Sequence, residues 1–404
     1  MDMELNSSSI GNISLDEKKW TRCEISNWTL AKRINSEQPL LPVVCSTGVL
    51  LLTGVIGNGL VIYVYSRKPK TTTNRVFILA LSILDFLSCS VVIPFEIYDM
   101  THSYTFTIIA LCKLARFSEF LLILAAGFTL VAISIDRYLH LCRYKSRFLL
   151  SASRAKKVCA LCVVLGAVIA LPLLRFAGPE IIELLVDDTN VTTCGCTTFK
   201  DKNEKGGKIY TYILMTVFLG ALVTMLVSYC FIGFTLYGRR NGATKNGLTF
   251  IASPEETKQL NKQTKKNKQT KQNKQTKQNK QMKKQESFAI GKSSISLNGS
   301  TVVFFTVTLV FVTGFLPHLS VRVLRFLHVA FDGDTSMDLL YNFLVRSYLI
   351  NSVANPFIYS IIHKRFREEL FKTVKSMLCC AKNSNIYKTS RSRSNSTFGE
   401  TSFT

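Results

Sequence analysis

Seven long apolar stretches are the feature of this sequence that most restricts its fold. Each is much longer than a core strand and close to the roughly 20 residues that a helix needs to cross a bilayer. Because hydrocarbon offers the backbone no hydrogen-bond partner, segments of this kind are helices. The sequence therefore predicts an all-α membrane protein, a bundle of seven transmembrane helices that we call spans one to seven. They lie at about residues 41–65, 76–98, 108–135, 157–176, 209–238, 300–329 and 339–361.

The connectors between the spans carry a lopsided charge that predicts the orientation of the chain. Basic residues follow spans one, three, five and seven, among them Arg67, Arg143, Lys364 and the lysine repeat of residues 262–285. Short basic connectors stay in the cytoplasm. Glycosylation sequons fall on the opposite side, at Asn6, Asn12, Asn27 and Asn190. We therefore expect a multi-pass plasma-membrane protein with an extracellular N-terminus and a cytoplasmic C-terminus.

Polar segments divide the rest of the chain. Residues 381–404 are rich in Ser and Thr, which predicts a disordered tail that could accept phosphates and recruit arrestin. Residues 362–380 have an amphipathic pattern that predicts a short helix on the membrane surface, followed by palmitoylation at Cys379 and Cys380. The other predicted units are an extracellular glycosylated tail over 1–40, spans one to five over 41–238, a disordered lysine-rich third cytoplasmic loop over 239–299, and spans six and seven over 300–361.

The formal net charge of +24 raises the alternative of a nucleic-acid-binding protein. Much of that charge comes from residues 262–285, which hold ten lysines and no acid. The repeat is tethered between two spans and contains no aromatic residue on which bases could stack. We therefore expect no nucleic-acid partner. The repeat is either a flexible linker or a segment weakly attracted to the anionic inner leaflet of the lipid bilayer.

A transporter and a membrane enzyme are two further alternatives. The odd number of spans and the lack of a repeat between the two halves disfavour a transporter. The five histidines are scattered and form no credible set of metal ligands; they are His102, His140, His318, His328 and His363. We therefore expect neither a metal site of that kind nor an enzyme.

Polar residues inside the spans are costly, and each one is a candidate for function. Asn58, Asp85, Asn351 and Asn355 lie at depths that are compatible with one shared cluster. An asparagine in a span can instead serve only as a contact between helices. A buried Asp with three amides within reach favours a coordinated site.

Two prolines and one pair of charges predict conformational change. Pro317 and Pro356 interrupt the hydrogen-bond ladders of spans six and seven, and such interruptions supply hinges. Asp136 lies beside Arg137 at the end of span three. The pair is either a structural ion pair or an arginine that changes partner between two states.

In their order and helix placement, these motifs resemble those of the rhodopsin-like (class A) G-protein-coupled receptors. The resemblance covers roughly residues 41–380. It rests on "GN" in span one, "LxxxD" in span two, "DRY" at the end of span three, "FxxxFxP" in span six and "NPxxY" in span seven. It implies a receptor that activates heterotrimeric G proteins by rearranging spans six and seven.

The resemblance also implies roles for individual residues. Asn58, Asp85, Asn351, Ser352 and Asn355 are similar to a polar network that binds an allosteric sodium ion, which is the one cofactor we consider. Cys112 is similar to the cysteine of span three that forms a disulfide with the second extracellular loop. Its partner is then Cys194 or Cys196, and the spare cysteine could pair with Cys23 or Cys45. The residues similar to the G-protein coupling and switch positions are Asp136, Arg137, Tyr138, Tyr229, Phe311, Phe315, Pro317, Asn355, Pro356 and Tyr359.

The sequence departs from the family pattern at several of these positions. Phe315 stands where most members have Trp, and Ala126 replaces a serine that commonly helps to bind sodium. No acid lies at the base of span six near Leu297, so Arg137 has no partner for a lock between helices.

Charged residues near the predicted extracellular ends of the spans are the candidates for ligand binding. They are Glu96, Arg116, Glu119, His318, Arg322 and Arg346. Their mixed charge and the long second extracellular loop resemble peptide receptors and favour a neuropeptide or peptide hormone as ligand. One alternative is a biogenic amine or other small molecule with Glu119 as its counter-ion. Glu119 could instead pair with Arg346 or Arg322 as an internal lock.

Overall fold

The computed structural model describes ten segments of the chain. Several predicted features lie outside them: the sequons at Asn6 and Asn12, the palmitoylation sites Cys379 and Cys380, the lysine repeat and the C-terminal tail. The described residues are 23–38, 40–69, 71–142, 149–186, 189–198, 205–249, 299–326, 335–364, 366–373 and 375.

The described residues form the predicted bundle and confirm the fold class. Six helices are long and apolar enough to cross a membrane, and a seventh span is built from two shorter helices. Spans one to six are Leu41–Ser66, Thr73–Thr101, Ile109–Cys142, Ala152–Phe176, Lys205–Gly238 and Gly299–Leu324. Span seven consists of Thr335–Val345 and Leu349–Ile362.

Two of the helices continue beyond these apolar limits. The helix of span five runs on to Thr249, into the segment predicted to be a loop, and that of span six ends at Phe326. Apolarity therefore marks the part of a helix that crosses hydrocarbon, whereas the hydrogen-bond ladder continues beyond it.

Prolines explain two irregularities of the helices. A π-helical turn at Ser88–Val92 interrupts span two in the turn before Pro94, whose ring and missing N–H disturb that turn. In span seven, Pro356 cannot donate to the carbonyl of Ser352. Asn58 Nδ2 donates to that carbonyl instead, at 2.7 Å. The amide of span one thus supplies the bond that the proline removes.

A β-hairpin lies between spans four and five. Strands β1, Gly178–Val186, and β2, Thr189–Thr197, are antiparallel. We call the end of the bundle that carries them the hairpin end, and the end that carries Arg137 the opposite end. Asn190 is exposed on β2.

Two disulfides fasten the hairpin to the rest of the molecule. Cys112 of span three pairs with Cys196, and Cys194 pairs with Cys23. The structure thus selects the second of the two partners considered for Cys112, and the spare cysteine takes Cys23 rather than Cys45.

The segment after Cys23 lies against the hairpin. Ser26 N donates to the Thr192 carbonyl at 3.1 Å, and Thr192 N donates to Ser26 Oγ at 2.9 Å. A helix follows at Trp28–Glu37, inside the stretch predicted to be a tail. Asn27 caps this helix, since its Oδ1 accepts from Leu30 N at 3.0 Å. Capping uses Oδ1 of Asn27, whereas glycosylation of the sequon would modify its Nδ2, so the two involve different atoms of the side chain.

The chain after span seven folds back onto the bundle. Residues 366–373 are helical. Phe366 is buried, stacks on Tyr65 with ring centroids 5.5 Å apart, and meets Tyr359 edge-on. Phe371 is 70% exposed. One aromatic ring therefore anchors the short helix to the largest apolar cluster, while the other is free to meet lipid, as an amphipathic surface helix requires.

We expect peptide mapping without reduction to recover two cross-linked pairs, Cys112 with Cys196 and Cys23 with Cys194. The measurement is mass spectrometry of the purified chain after digestion under conditions that prevent disulfide exchange. A peptide that joins Cys112 to Cys194 would contradict the structure.

Candidate functional site

The predicted ligand-binding residues come together in a buried ion-pair network at the hairpin end. Arg116 of span three is its centre. Its Nη1 lies 2.7 Å from Glu96 Oε1 and 2.8 Å from Glu119 Oε2, and its Nη2 lies 2.6 Å from Asp99 Oδ2. Arg346 Nε of span seven lies 2.9 Å from Glu96 Oε2. The network therefore joins spans two, three and seven.

Helical spacing explains why these groups meet. Glu96 and Asp99 are three residues apart on span two, and Arg116 and Glu119 are three residues apart on span three, so each pair shares one helix face. Only 6% of the surface of Arg116 and 2% of the surface of Glu119 is accessible to solvent. Charges this deeply buried persist only when they are paired and hydrogen-bonded.

The network settles which contact Glu119 makes. Glu119 is paired, as the internal-lock interpretation expected, but its partner is Arg116 rather than Arg346 or Arg322. Arg346 instead contacts Glu96 and also donates to Asn342 Oδ1 at 2.8 Å. An amine could use Glu119 as counter-ion only by competing with this guanidinium.

His318 and Arg322 of span six face the same region. The chain of span seven turns out of the helix between Val345 and Leu349. His318 Nδ1 donates to the carbonyl of Val345, which this break leaves without its helical partner. Arg322 is half-buried, and within the described ranges no carboxylate forms an ion pair with it.

Aromatic rings lead from His318 to the middle of the bundle. Phe315 stacks on Phe311 at 5.9 Å and on Phe218 of span five at 5.0 Å, measured between ring centroids. The ring of His318 lies 5.2 Å from Phe315 and 4.9 Å from Tyr348. His318 is therefore in direct contact with Phe315, one of the residues that are similar to the switch positions of the family.

The predicted polar network lines a small cavity below these rings. Asp85 Oδ2 accepts from Asn355 Nδ2 at 2.6 Å. Asn351 and Ser352 line the same cavity of about 30 Å³, together with Ala126. A cavity of this size holds an ion or about two waters. Asn58 lies beside the group and contacts Ser352 through the backbone carbonyl described above.

At the opposite end, Arg137 forms an ion pair with Asp136. Tyr229 of span five forms a hydrogen bond of 3.1 Å with Thr308 of span six. Tyr359 is completely buried. Tyr138 packs against a ring of span five rather than on Arg137, with centroids 5.8 Å apart. The structure thus brings Arg137 and Asp136 together and leaves Tyr138, Tyr229 and Tyr359 in other contacts.

Some residues of the site were missing from the sequence-based set of candidates. Asp99 belongs to the ion-pair network, and its three-residue spacing from Glu96 is a signal that could have included it. Asn342, Thr308 and Phe304 had no comparable signal. Phenylalanine and threonine are common in spans, and only the packing of neighbouring helices distinguishes these two residues from others of their type.

Comparison with known proteins identifies the family. The sequence model of the family described as "7 transmembrane receptor (rhodopsin family)" matches residues 57–359 of this chain. This is well over half of the chain, and the chain therefore belongs to that family. Together with the apolar helices, membership makes it a multi-pass plasma-membrane protein.

Three relatives show how similar individual members are. The chain is 34% identical over 203 residues to the C3a anaphylatoxin chemotactic receptor of Oncorhynchus mykiss, covering 49% of this chain and 53% of that one. It is 36% identical over 218 residues to Neuropeptides B/W receptor type 2 of Bos taurus, with coverages of 52% and 61%. A QRFP-like peptide receptor of Branchiostoma floridae is 24% identical over 338 residues, with coverages of 83% and 77%. The matches to the first two thus span about half to three fifths of their length.

We predict that Arg116→Ala destabilises the receptor strongly. The substitution leaves Glu96, Asp99 and Glu119 without their common partner in a buried site, which typically costs about 3–5 kcal/mol. Surface delivery and the unfolding temperature of the detergent-solubilised protein measure the effect. The matched control is Arg33→Ala, because the ion pair of Arg33 with Glu37 is exposed and worth at most about 1 kcal/mol. Equal stability of both variants would contradict the role of Arg116.

Proposed function

We propose that this receptor binds a peptide at its hairpin end and activates heterotrimeric G proteins at the opposite end. The observation that carries the proposal is the arrangement of groups along the bundle. The Arg116 ion-pair network lies at the hairpin end, and the ring of His318 meets Phe315, which lines the cavity at Asp85. Arg137 lies beyond that cavity, beside Asp136.

The hairpin end is the extracellular one in this proposal. Both disulfides lie there, and disulfides form and persist in oxidising compartments. The basic residues Arg67 and Lys364, which follow spans one and seven, lie at the opposite end, where the positive-inside rule places the cytoplasm. Charge and cysteine chemistry thus support the same orientation independently.

Three features favour a peptide over a smaller ligand. The site presents charges of both signs from spans two, three, six and seven, which suits a ligand with several polar groups. A groove of about 530 Å³ also lies at the hairpin end, between the helix Trp28–Glu37 and the end of span two. It is lined by Trp28, Lys32, Tyr98 and His102, among others. Two of the relatives above are named as receptors for neuropeptides B/W and for a QRFP-like peptide.

The amine alternative is weaker because Glu119 is occupied. Arg116 holds Glu119 at 2.8 Å, and an incoming ammonium would have to replace a guanidinium that two further carboxylates also hold. A peptide can instead address Arg322, which has no ion-pair partner among the described residues, without dismantling the network. Arrestin completes the proposed set of partners, and the lipid bilayer surrounds the apolar faces.

A sodium ion is a proposed allosteric cofactor of the cavity at Asp85. Asn351 Oδ1 is buried there and has no hydrogen-bond partner among the described residues. With Asp85 and Ser352 it provides the oxygen ligands that a hard cation prefers. Ala126 contributes no oxygen, so the remaining ligands would be waters. When bound, the ion would neutralise the charge of Asp85.

A screen without ligand bias tests the proposed function. We expect a library of peptides to contain activators of G-protein dissociation in cells that express the receptor, and a panel of monoamines to contain none. Arg137→Ala should abolish the response at normal surface density, because it removes the group that would engage the G protein. Arg154→Ala is the control, since Arg154 is an exposed residue at the start of span four. Activation by monoamines alone would overturn the peptide assignment, and intact signalling by Arg137→Ala would overturn the coupling role.

Sodium binding has its own measurement, which requires no ligand. We expect NaCl to raise the unfolding temperature of the purified receptor more than equimolar KCl, because an ion that binds only the folded state stabilises it. Asp85→Asn should remove the difference. Asp338→Asn is the control, since Asp338 is exposed. An equal effect of both salts on the parent protein would refute the sodium site.

A further inference from the structure

Among the described residues, Arg137 forms no ion pair with a residue of another helix, so it is not part of an electrostatic lock between two helices. Arg137 is buried, and its one ion-pair partner among the described residues is its neighbour Asp136 on the same helix. Its Nε has no hydrogen-bond partner within the described ranges. Span six contains no acidic residue between Gly299 and Phe326. No carboxylate of span six is therefore available to pair with Arg137.

An aromatic ring of span six occupies the place of such a partner. The guanidinium carbon of Arg137 lies 5.4 Å from the ring centroid of Phe304. A cation this close to an aromatic face is attracted by the ring quadrupole, more strongly where water is excluded. Phe304 is completely buried, and its ring is held edge-on to Phe77 of span two at 6.4 Å. The ring is thus fixed in position by a third helix.

A neutral hydrogen bond lies one helical turn further along span six. Thr308 Oγ1 is within reach of the Phe304 carbonyl at 2.9 Å and of Tyr229 OH at 3.1 Å. A threonine hydroxyl has one proton. Since the carbonyl can only accept, Thr308 donates to it and Tyr229 donates to Thr308. Residues four apart lie on one face of a helix, so Phe304 and Thr308 act from the same side of span six.

We propose that Phe304 is a positioning residue for Arg137 and, with Thr308, closes the opposite end of the bundle through uncharged contacts. The ring keeps Arg137 on Asp136, and the threonine keeps Tyr229 on span six. Opening the bundle requires both contacts to break together, because they belong to one helix face. In this receptor a cation–π contact thereby does what an acid on span six would otherwise do. The readout of this proposal through G proteins rests on the proposed function.

Three substitutions at one position separate the ring face from its volume. Phe304→Leu keeps an apolar side chain without an aromatic face, Phe304→Tyr keeps the face, and Phe304→Ala removes both. The measurement is G-protein dissociation without ligand, divided by surface receptor, across a panel of Gα subunits. Phe357→Leu is the control, because Phe357 is 55% exposed on span seven.

We expect Phe304→Leu to raise the open fraction roughly two- to thirtyfold, the range that corresponds to the loss of one cation–π contact. Phe304→Tyr should remain close to the parent receptor, and Phe304→Ala should be at least as active as Phe304→Leu. Activity that rises only for Phe304→Ala would show that volume alone matters. An equal rise in ligand-free activity for Phe304→Leu and Phe304→Tyr would show that the ring face does not contribute. Either result overturns the proposal.

Thr308→Val tests the second contact by replacing the hydroxyl with a methyl group of similar size. We expect a rise of roughly two- to tenfold, as for the loss of one neutral hydrogen bond. Thr313→Val is the matched control on the same span, because Thr313 is exposed and its hydroxyl bonds within its own helix. A Thr308→Val variant that behaves like the control would remove Thr308 from the proposal.

A distance measurement distinguishes failure of this proposal from failure of the proposed function. Spin labels at Cys142 and at Gly299→Cys report the separation of spans three and six in the full-length receptor, with Cys45, Cys230, Cys379 and Cys380 replaced by serine. A side chain at Gly299 meets no atom of the described residues within 4 Å, which makes this position suitable for a label. We expect Phe304→Leu to lengthen the distance and Phe304→Tyr to leave it unchanged. A longer distance without any G-protein response would contradict only the coupling function, whereas an unchanged distance would overturn the role of Phe304.

Discussion

Hydrocarbon supplies no hydrogen bonds, so every polar group inside the spans must find its partner within the protein. This constraint accounts for the contacts that hold the bundle together. Asn58 donates to the carbonyl that Pro356 leaves unpaired, and His318 donates to the carbonyl at the break in span seven. The same constraint gathers three carboxylates around Arg116, because none of them can remain charged and alone at that depth.

The irregular helices are placed where the proposed function needs movement. Span seven breaks next to Arg346, whose side chain is tied to Glu96 of span two. A ligand that competes for either partner acts directly on that break. From there the stacked rings of His318, Phe315 and Phe311 lead to the cavity at Asp85. Packed aromatic groups of this kind have discrete arrangements, which makes them suited to a two-state switch.

The two ends of the bundle use different kinds of contact. At the hairpin end, five largely buried ionisable groups connect three spans. At the opposite end, span six is held by the face of Phe304 and by the hydroxyl of Thr308. Such neutral contacts are individually weak. The closed form of the bundle therefore depends on several weak contacts at that end. The rearrangement of one helix, span six, can break them together.

The sequence by itself determined the seven spans, the family motifs and the residue types of the site, because hydropathy and motif spacing are properties of the linear chain. It placed Asp85, Asn351, Ser352 and Asn355 in one group, and they line one cavity. Only the tertiary structure decided which groups pair. Cys196 rather than Cys194 meets Cys112, Arg116 rather than Arg346 meets Glu119, and Phe304 meets Arg137. These choices depend on how each helix is rotated and where it is broken, which periodicity along a single helix does not specify.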